Sequence, residues 1–479
     1  MSTPEEQTPP QLFSTREPIF PRRVSGAFRT AKWWIMVITL GIYYIFPWLR
    51  WDRGPNLPDQ AVLIDLANRR FFFFMIEIWP HEFYFVAGLL IMAGLGLFLF
   101  TSALGRVWCG YACPQTVWTD LFILVERWIE GDRNARIRLH RQKWNFEKFR
   151  KTGLKWLVWL LIGLATGGAW IFYFTDAPTL LVDLLTFNAH PVAWITMLIL
   201  TVTTFAFGGF AREQICIYAC PWPRIQAAMM DESTITIGYR DWRGEPRGKA
   251  KTEGHGDCID CMACVNVCPM GIDIRNGQQL ACITCGLCID ACNDVMDKIG
   301  KPRDLIGYLA LNDETRERAG EKPYSPWKHI FRPRTLLYTA LWGGIGVAMV
   351  VALFLRADID VSVTPVRNPT FVTLSDGTIR NTYEMRLRNK HGEDRWFDLS
   401  VEAQSALGLT IEGVEGSRFL VPANHTAQVR LYLTAAPNSA LALEETSDIL
   451  IWIEDEATAA NQGFDRVRKE TVFNGKGAK

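Results

Sequence analysis

Twelve cysteines carry most of the chemistry open to this sequence, and each stands in a paired or clustered run. The densest runs, CIDCMACVNVCP (258–269) and CITCGLCIDAC (282–292), write CxxCxxCxxxC twice. That is the spacing of proteins that hold two 4Fe-4S clusters: a short loop wraps only three corners of a cube, so the fourth thiol of each run goes to the other run's cluster. The expected ligands are Cys258, Cys261, Cys264 and Cys292 for one cluster, and Cys282, Cys285, Cys288 and Cys268 for the other. Pro269 follows the first fourth-cysteine, whereas Asn293 stands at the same place in the second run. Zinc is the competing occupant, but it wants four ligands per site and no interleaved third cysteine. Small and apolar neighbours (Ala263, Val265, Ile283, Gly286, Leu287) suit a cubane shielded from water. Such clusters pass single electrons. No glycine fingerprint after a strand marks a nicotinamide or flavin site, so the electron donor must be another molecule.

The other four thiols lie in CGYACP (109–114) and CIYACP (216–221), each just after a long apolar run. On a helix, cysteines at i and i+4 stack on one face. The repeat points to duplicated two-helix halves related by a pseudo-twofold axis, which would bring Cys109, Cys113, Cys216 and Cys220 together at the inner membrane face. Soft thiolates favour Cu(I), iron–sulfur or zinc over hard cations. The plainer role is a small buried hydrophobe at a helix end. A haem between the helices would need mid-span histidines, and none of His81, His140, His190, His255, His329, His391 and His425 is so placed.

Membrane helices must position these residues. The chain has 479 residues, 49% of them apolar, and five runs (33–49, 83–104, 156–174, 192–210 and 336–355) approach or exceed the roughly 17 to 25 residues that cross a bilayer. The first follows some thirty polar, Pro-rich residues and lacks a small-x-small cleavage site, so it reads as a span and not a signal peptide. RRFFFFMIEIW (69–79) is short and carries Glu77; it reads as interfacial, with a sixth span as the alternative. Lys and Arg crowd the loop between spans two and three (Arg106, Arg127, Arg133, Arg136 and others) and the segment 211–335, and are absent between spans three and four. The positive-inside bias then keeps those loops in the cytoplasm and the C-terminal tail outside. All the cysteines fall on the reducing side, which fits metal or redox groups and not disulfides. A net charge of +1 gives no reason to expect nucleic acid.

The organisation expected is a cytoplasmic arm (1–31), four membrane helices (32–210) with a basic cytoplasmic loop (105–155), a cytoplasmic segment (211–335) with the dicluster ferredoxin at about 255–295, a fifth membrane helix (336–355), and an outer domain (356–479). The basic loop reads as amphipathic helices whose cations meet membrane lipid phosphates, or equally as a solvated charged face. In the tail, about seven short alternating strands, with turn signals such as Asp376-Gly377, argue for an all-β immunoglobulin-like sandwich without the inter-sheet cysteine pair.

Taken together, five spans, two CxxxCP motifs, the ferredoxin segment between spans four and five and the outer immunoglobulin-like tail resemble the CcoG/FixG/RdxA family over nearly the whole chain. The resemblance implies a cytochrome c oxidase accessory protein of the bacterial inner membrane, with cytoplasmic clusters and a periplasmic C-terminal domain, needed to assemble the cbb3-type oxidase. It also implies reduction of Cu(II) to Cu(I), with copper as substrate or bound ion handled by Cys109, Cys113, Cys216 and Cys220. The partners it implies are cbb3-type oxidase assembly factors and copper transport proteins. No catalytic residue is assigned, the cytoplasmic donor is not identified, and a homo-oligomer stays open. Two other functions remain: a NapH-like respiratory electron-transfer subunit, against which the outer tail and the lack of a legible quinone pocket weigh, and a non-enzymatic scaffold whose clusters are structural or sense redox state.

Overall fold

Long apolar runs with their backbone bonds satisfied internally fold as helices, and four in the computed structural model are long and apolar enough to cross a membrane: Pro80–Leu104, Phe146–Ile171, Pro191–Ala219 and Pro333–Phe354. The structure describes residues 18–54, 56–249, 254–356, 359–390, 392–402, 407–456 and 466–477; the first 17 residues of the expected arm lie outside them. The chain divides into two units, one of Met1–Leu49 with Gln60–Met349, the other of Arg50–Asp59 with Val350–Lys479.

In the first unit the expected first span falls on α1 (Ala27–Ile45). This helix starts earlier than the apolar run and takes in Arg29 and Lys32, both buried. Lys32 Nζ lies 2.9 Å and Arg29 Nη1 3.4 Å from the Asp120 carboxylate. Protein charges, and not lipid, therefore surround the N-terminal end of α1, and five equal spans become four apolar helices and one that is part ionic. The stretch at 69–79 is neither helix nor span. It belongs to an antiparallel sheet of β1 (Val62–Asp65), β2 (Arg70–Phe73) and β3 (Ile76–Ile78), turned by Phe74 at φ 51°, with Arg70 paired to Glu77 at 3.4 Å.

After α2 (Tyr84–Leu104) the basic loop folds as α3 (Val107–Tyr111), α4 (Pro114–Glu130) and α5 (Arg133–Arg141) before α6 (Phe146–Ile171). α7 (Ala177–Leu185) leads to α8 (Pro191–Phe205), which continues through two π-helical turns, Ala206–Ala211 and Ile215–Ala219. In the ferredoxin segment β4 (Thr236–Tyr239) pairs antiparallel with β5 (Ile306–Leu309). Between them in sequence lie the helices Ala263–Val267 and Leu287–Lys298.

The second unit is a two-sheet β-sandwich. One sheet runs β10 (Leu407–Ile411), β12 (Thr426–Ala435), β8 (Ile379–Asn389), β6 (Ile359–Pro365), with β7 (Val372–Thr373) also on β8. The other runs β11 (Arg418–Val421), β9 (Arg395–Val401), β13 (Thr446–Asp455), β14 (Arg466–Asn474). Alternation places Tyr383, Met385 and Leu387 of β8 inward against Phe397 and Phe473. Apolar packing replaces the missing disulfide.

Candidate iron–sulfur and thiol centre

The two cysteine loops coil by the same backbone device. Asp260 and Met262 take left-handed conformations (φ 54° and 57°), and so do Thr284 and Gly286 (φ 55° and 74°) at the matching places of the second loop. Each loop therefore turns twice and then enters a short helix, Ala263–Val267 or Leu287–Lys298, that carries its third thiol. Left-handed backbone is costly for Met262, which has a Cβ, so the loop is held by what it encloses and by its packing.

What each loop faces is a small, apolar cavity. One is lined by Cys258, Cys261, Cys264 and Cys292 with Tyr239, Met296, Leu305 and Ile306. The other is lined by Cys268, Cys282, Cys285 and Cys288, and by Cys264, which both cavities share, among Ile237, Met270, Ile274 and Ile283. Each cavity thus receives three thiols of one run and the last thiol of the other. Among the described residues no three His, Cys, Asp or Glu side chains converge to hold one metal ion. Thiols that ring a space instead of meeting at a point fit a cubane with iron at its corners, and do not fit a tetrahedral zinc.

Burial in these walls disfavours thiolates. It pushes Cys264 up to about 11 in spite of the Arg275 guanidinium, Cys282 to about 11, Cys268 and Cys292 to about 12, and Cys288 well above its ordinary value. Metal must therefore displace protons on loading. Cys261 is the one exposed cysteine of the twelve.

The two CxYACP copies do not hold their thiols on one helical face. Cys113 and Cys220 each precede a proline, which drives the preceding residue out of the helical region; their ψ values are 128° and 125°. Each therefore closes one helix and leads into the next, α4 after Cys113 and Trp222–Met229 after Cys220. Each also donates its amide to the carbonyl five residues earlier, Trp108 at 3.0 Å and Ile215 at 2.8 Å. The local geometry is duplicated with the sequence.

The copies meet each other. Cys109 Sγ donates to Oε1 of buried Gln226, on the helix after the second copy, at 3.2 Å. Cys113, Cys109 and Cys220 all lie within electrostatic reach of Cys216. Burial raises the Cys109 thiol above its ordinary value, against the pull of the Arg106 cation.

They also meet the iron–sulfur loops. Cys109 and Cys216 pack on the apolar cluster that contains Ile283, Cys285 and Leu287. A Cβ on Gly110 would lie 2.5 Å from the Ile283 carbonyl oxygen and 3.0 Å from Cα of Cys285, so glycine alone permits this contact. Tyr111 donates to the Cys285 carbonyl at 3.0 Å, and Arg106 to the Cys282 carbonyl at 3.1 Å. Gly110, Tyr111, Arg106 and Gln226 escaped sequence reasoning. The one signal was the difference between CGYACP and CIYACP: glycine stands where the loop backbone comes closest, whereas Ile217 lays a side chain on the same cluster.

Helix Leu287–Lys298 reaches α1 as well. The Asp290 carboxylate accepts the amides of Phe28 (3.3 Å) and Arg29 (2.8 Å), in the first turn of α1, where an anion satisfies orphan donors and the helix dipole. A Cβ on Gly26 would strike that carboxylate.

Comparison with known proteins bears on these features. A family model described as "4Fe-4S dicluster domain" matches residues 211–310, one described as "4Fe-4S binding domain" matches 85–136, and one described as "IG-like fold at C-terminal of FixG" matches 349–476. The chain is 71% identical to Protein RdxB of Cereibacter sphaeroides over 482 residues, covering 100% of both. It is 54% identical to nitrogen fixation protein FixG of Rhizobium meliloti, covering 84% of this chain and 82% of that one. Over 44% of its length, and 67% of the relative's, it is 26% identical to the ferredoxin-type protein NapH of Haemophilus influenzae.

Proposed function

The chain belongs to the FixG/RdxA family and is a membrane iron–sulfur electron-transfer protein; from that premise we propose that it reduces Cu(II) to Cu(I) at the paired CxYACP thiols in support of cbb3-type oxidase assembly. The observation that carries this reading is the contact of Gly110 and Tyr111, inside the first thiol motif, with the backbone of Cys285 in the iron–sulfur segment. Cys258, Cys261, Cys264 and Cys292 would hold one 4Fe-4S cluster, and Cys282, Cys285, Cys288 and Cys268 the other. When bound, these clusters supply electrons one at a time.

The chain's own residues do the rest. Cys109, Cys113, Cys216 and Cys220 present sulfur where Cu(II), which prefers nitrogen and oxygen, becomes Cu(I), which sulfur retains. Arg106 lowers the cost of a thiolate at Cys109, and Gln226 fixes the direction of that sulfur. The Lys- and Arg-rich loops support an orientation with this centre in the bacterial cytoplasm and the sandwich in the periplasm, where oxidase assembly factors and copper transport proteins are the partners. The similarity to NapH supports a second reading, a respiratory electron-transfer subunit, over the part of the chain that it covers.

The test is to replace Cys109 and Cys113, or Cys216 and Cys220, by Ser in protein purified without oxygen. We expect copper binding at least tenfold weaker, with about eight iron and eight sulfide retained per chain, the content of two cubanes. Prereduced wild-type clusters should be bleached by Cu(II). Copper binding unchanged, with iron lost instead, would assign the motif to the iron–sulfur framework and end the copper reading. Clusters indifferent to Cu(II) would favour a scaffold, and reduction by a quinol alone would favour the NapH-like subunit.

A further inference from the structure

The two cysteine loops sit among different charges. Near the cavity of Cys258, Cys261, Cys264 and Cys292, cations are matched by carboxylates. Arg275, which lines that cavity, pairs with Asp260 and with Asp273, each at 2.6 Å. Arg247 pairs with Glu245 at 2.7 Å. Arg243 and Lys301 share Asp257, the residue before Cys258, at 2.9 and 3.0 Å. Beside the cavity of Cys268, Cys282, Cys285 and Cys288 the cation is Arg106, only 3% exposed. Its guanidinium bonds backbone, the Leu280 and Cys282 carbonyls. The neighbouring cavity of about 270 Å³ that it lines with Cys282 and Thr284 has no other charged side chain in its wall.

A cubane on four thiolates gains one negative charge when it takes up an electron, so a neighbouring cation favours its reduced form. A guanidinium held between two carboxylates has little field left for this. Arg106 keeps its whole charge, in a place that water screens poorly. Helices add to the difference. Leu287 and Cys288, at the start of the 12-residue helix Leu287–Lys298, line the second cavity, which therefore faces the positive end of that helix's dipole, roughly half a charge. The helix that carries Cys264 has five residues. Asp290 does not undo the effect: it stands between Cys288 and Cys292, one thiol of each set, and its carboxylate is taken up by the Phe28 and Arg29 amides. Water at exposed Cys261 acts in the opposite sense but reaches one thiol of its set, since Cys258, Cys264 and Cys292 are buried.

We propose that Arg106 makes the cluster of Cys268, Cys282, Cys285 and Cys288 the more readily reduced of the two, so that a single electron on the pair rests on the side of the CxYACP thiols. The transfer this favours is one electron, from the cluster with the exposed ligand, which is oxidised, to the cluster beside the thiols, which is reduced; no proton moves and no bond breaks. Arg106 acts by its field and through the Cys282 backbone, which makes it a positioning residue. The same guanidinium lies within electrostatic reach of Cys109 and Cys216, and so stands between the loop and the thiols. The proposal rests on the two ligand sets given above and not on copper.

The experiment is a reductive titration with dithionite, followed by EPR, of the full-length, copper-free protein in detergent without oxygen. Wild type should give two one-electron waves, with the upper favoured at least tenfold, which is about 59 mV for one electron. Arg106→Gln, which can still donate to a carbonyl but carries no charge, should bring the upper wave down to the lower. Arg106→Lys, which keeps the charge, should leave the two apart. The double change Asp260→Asn with Asp273→Asn strips Arg275 of its carboxylates; it should raise the lower wave alone, and it decides the matter if Arg106→Gln does not load. An upper wave that answers to Arg106 and a lower one that answers to Asp260 and Asp273 is the expected result. A single wave in wild type, a lower wave that moves with Arg106, or an equal shift in Arg106→Lys and Arg106→Gln overturns the proposal. Iron and sulfide, about eight each per chain, are counted in the same samples, so that failure of the cluster reading shows as missing metal and stays distinct from failure of the ordering.

Discussion

Tyr111 gives its phenolic hydrogen to the carbonyl oxygen of Cys285 at 3.0 Å, a bond across 174 residues of sequence from the membrane motif to the iron–sulfur loop. Burial pushes the phenol up to about 12. A raised value means that the neutral donor, and the stability it contributes, is fully present below the ordinary value near 10 and is lost only as pH rises through about 12. Tyr111→Phe should cost about 1 kcal/mol and shift the potential or the EPR spectrum of one cluster with iron content unchanged. A wild-type spectrum that varies between about pH 6 and 9 would count against this bond as its support.

Gly110 and Ile217 occupy the same place in the two CxYACP copies, and the same replacement should affect them differently. Gly110→Ala drives a methyl into the Ile283 carbonyl and Cys285 Cα and should cost about 1–3 kcal/mol by overpacking. Iron per chain should fall toward half, as the nearer cluster is lost first. Ile217→Ala, which only trims a partly buried side chain, should keep both clusters. Metal analysis of the two variants, purified side by side without oxygen, separates them; equal iron in both would refute the docking asymmetry.

Asp120 is buried between Lys32 and Arg29. Burial alone would raise its carboxyl, but the two cations overcome that and hold it below the usual carboxylate range. The sign is then that of a depressed acid: its contribution is present above the unfolded value near 4 and is lost as pH falls through the lower, folded one. Asp120→Asn leaves two buried cations without a counter-charge and should cost about 3–5 kcal/mol, read as a lower thermal midpoint at neutral pH. An unchanged midpoint would show the triad to be energetically idle.

Asp290→Ala should remove the cap on α1 and cost about 1 kcal/mol, up to about 2, while Asp290→Asn, which keeps an acceptor oxygen, should retain most of it. Hydrogen exchange at the Phe28 and Arg29 amides is the direct measure. Protection unchanged in the alanine variant would mean that another group takes up those donors.

The periodic and spaced features were legible in the sequence: long apolar runs, strand alternation in the tail, and cysteine intervals. These depend on local rules, a 3.6-residue or two-residue repeat and the reach of a loop around a cube. What stayed hidden depends on contacts between distant segments. Arg29 and Lys32 looked like flanking charges, because their partner Asp120 is 91 residues from Arg29. Placing Cys109 and Cys113 on one helix failed for a local reason that was in view, since Pro114 and Pro221 already forbade a continuous helix there. The partners of the basic loop could not be read at all: Arg136 and Arg212 meet Glu126, and Lys155 meets Glu130, across separate stretches of the chain.

The Asp290 cap has a bearing on how the chain is made. The carboxylate that completes the N-terminal end of α1 is translated 261 residues after the Arg29 amide that it binds. Until then the opening turn of α1 must satisfy its amides with water or lipid headgroups. Asp290 shares its helix with Cys288 and Cys292, so whatever orders that helix during biogenesis, metal capture included, also finishes the membrane anchor. A chain whose cofactor insertion fails is thus left with the first turn of α1 frayed and open to proteolysis.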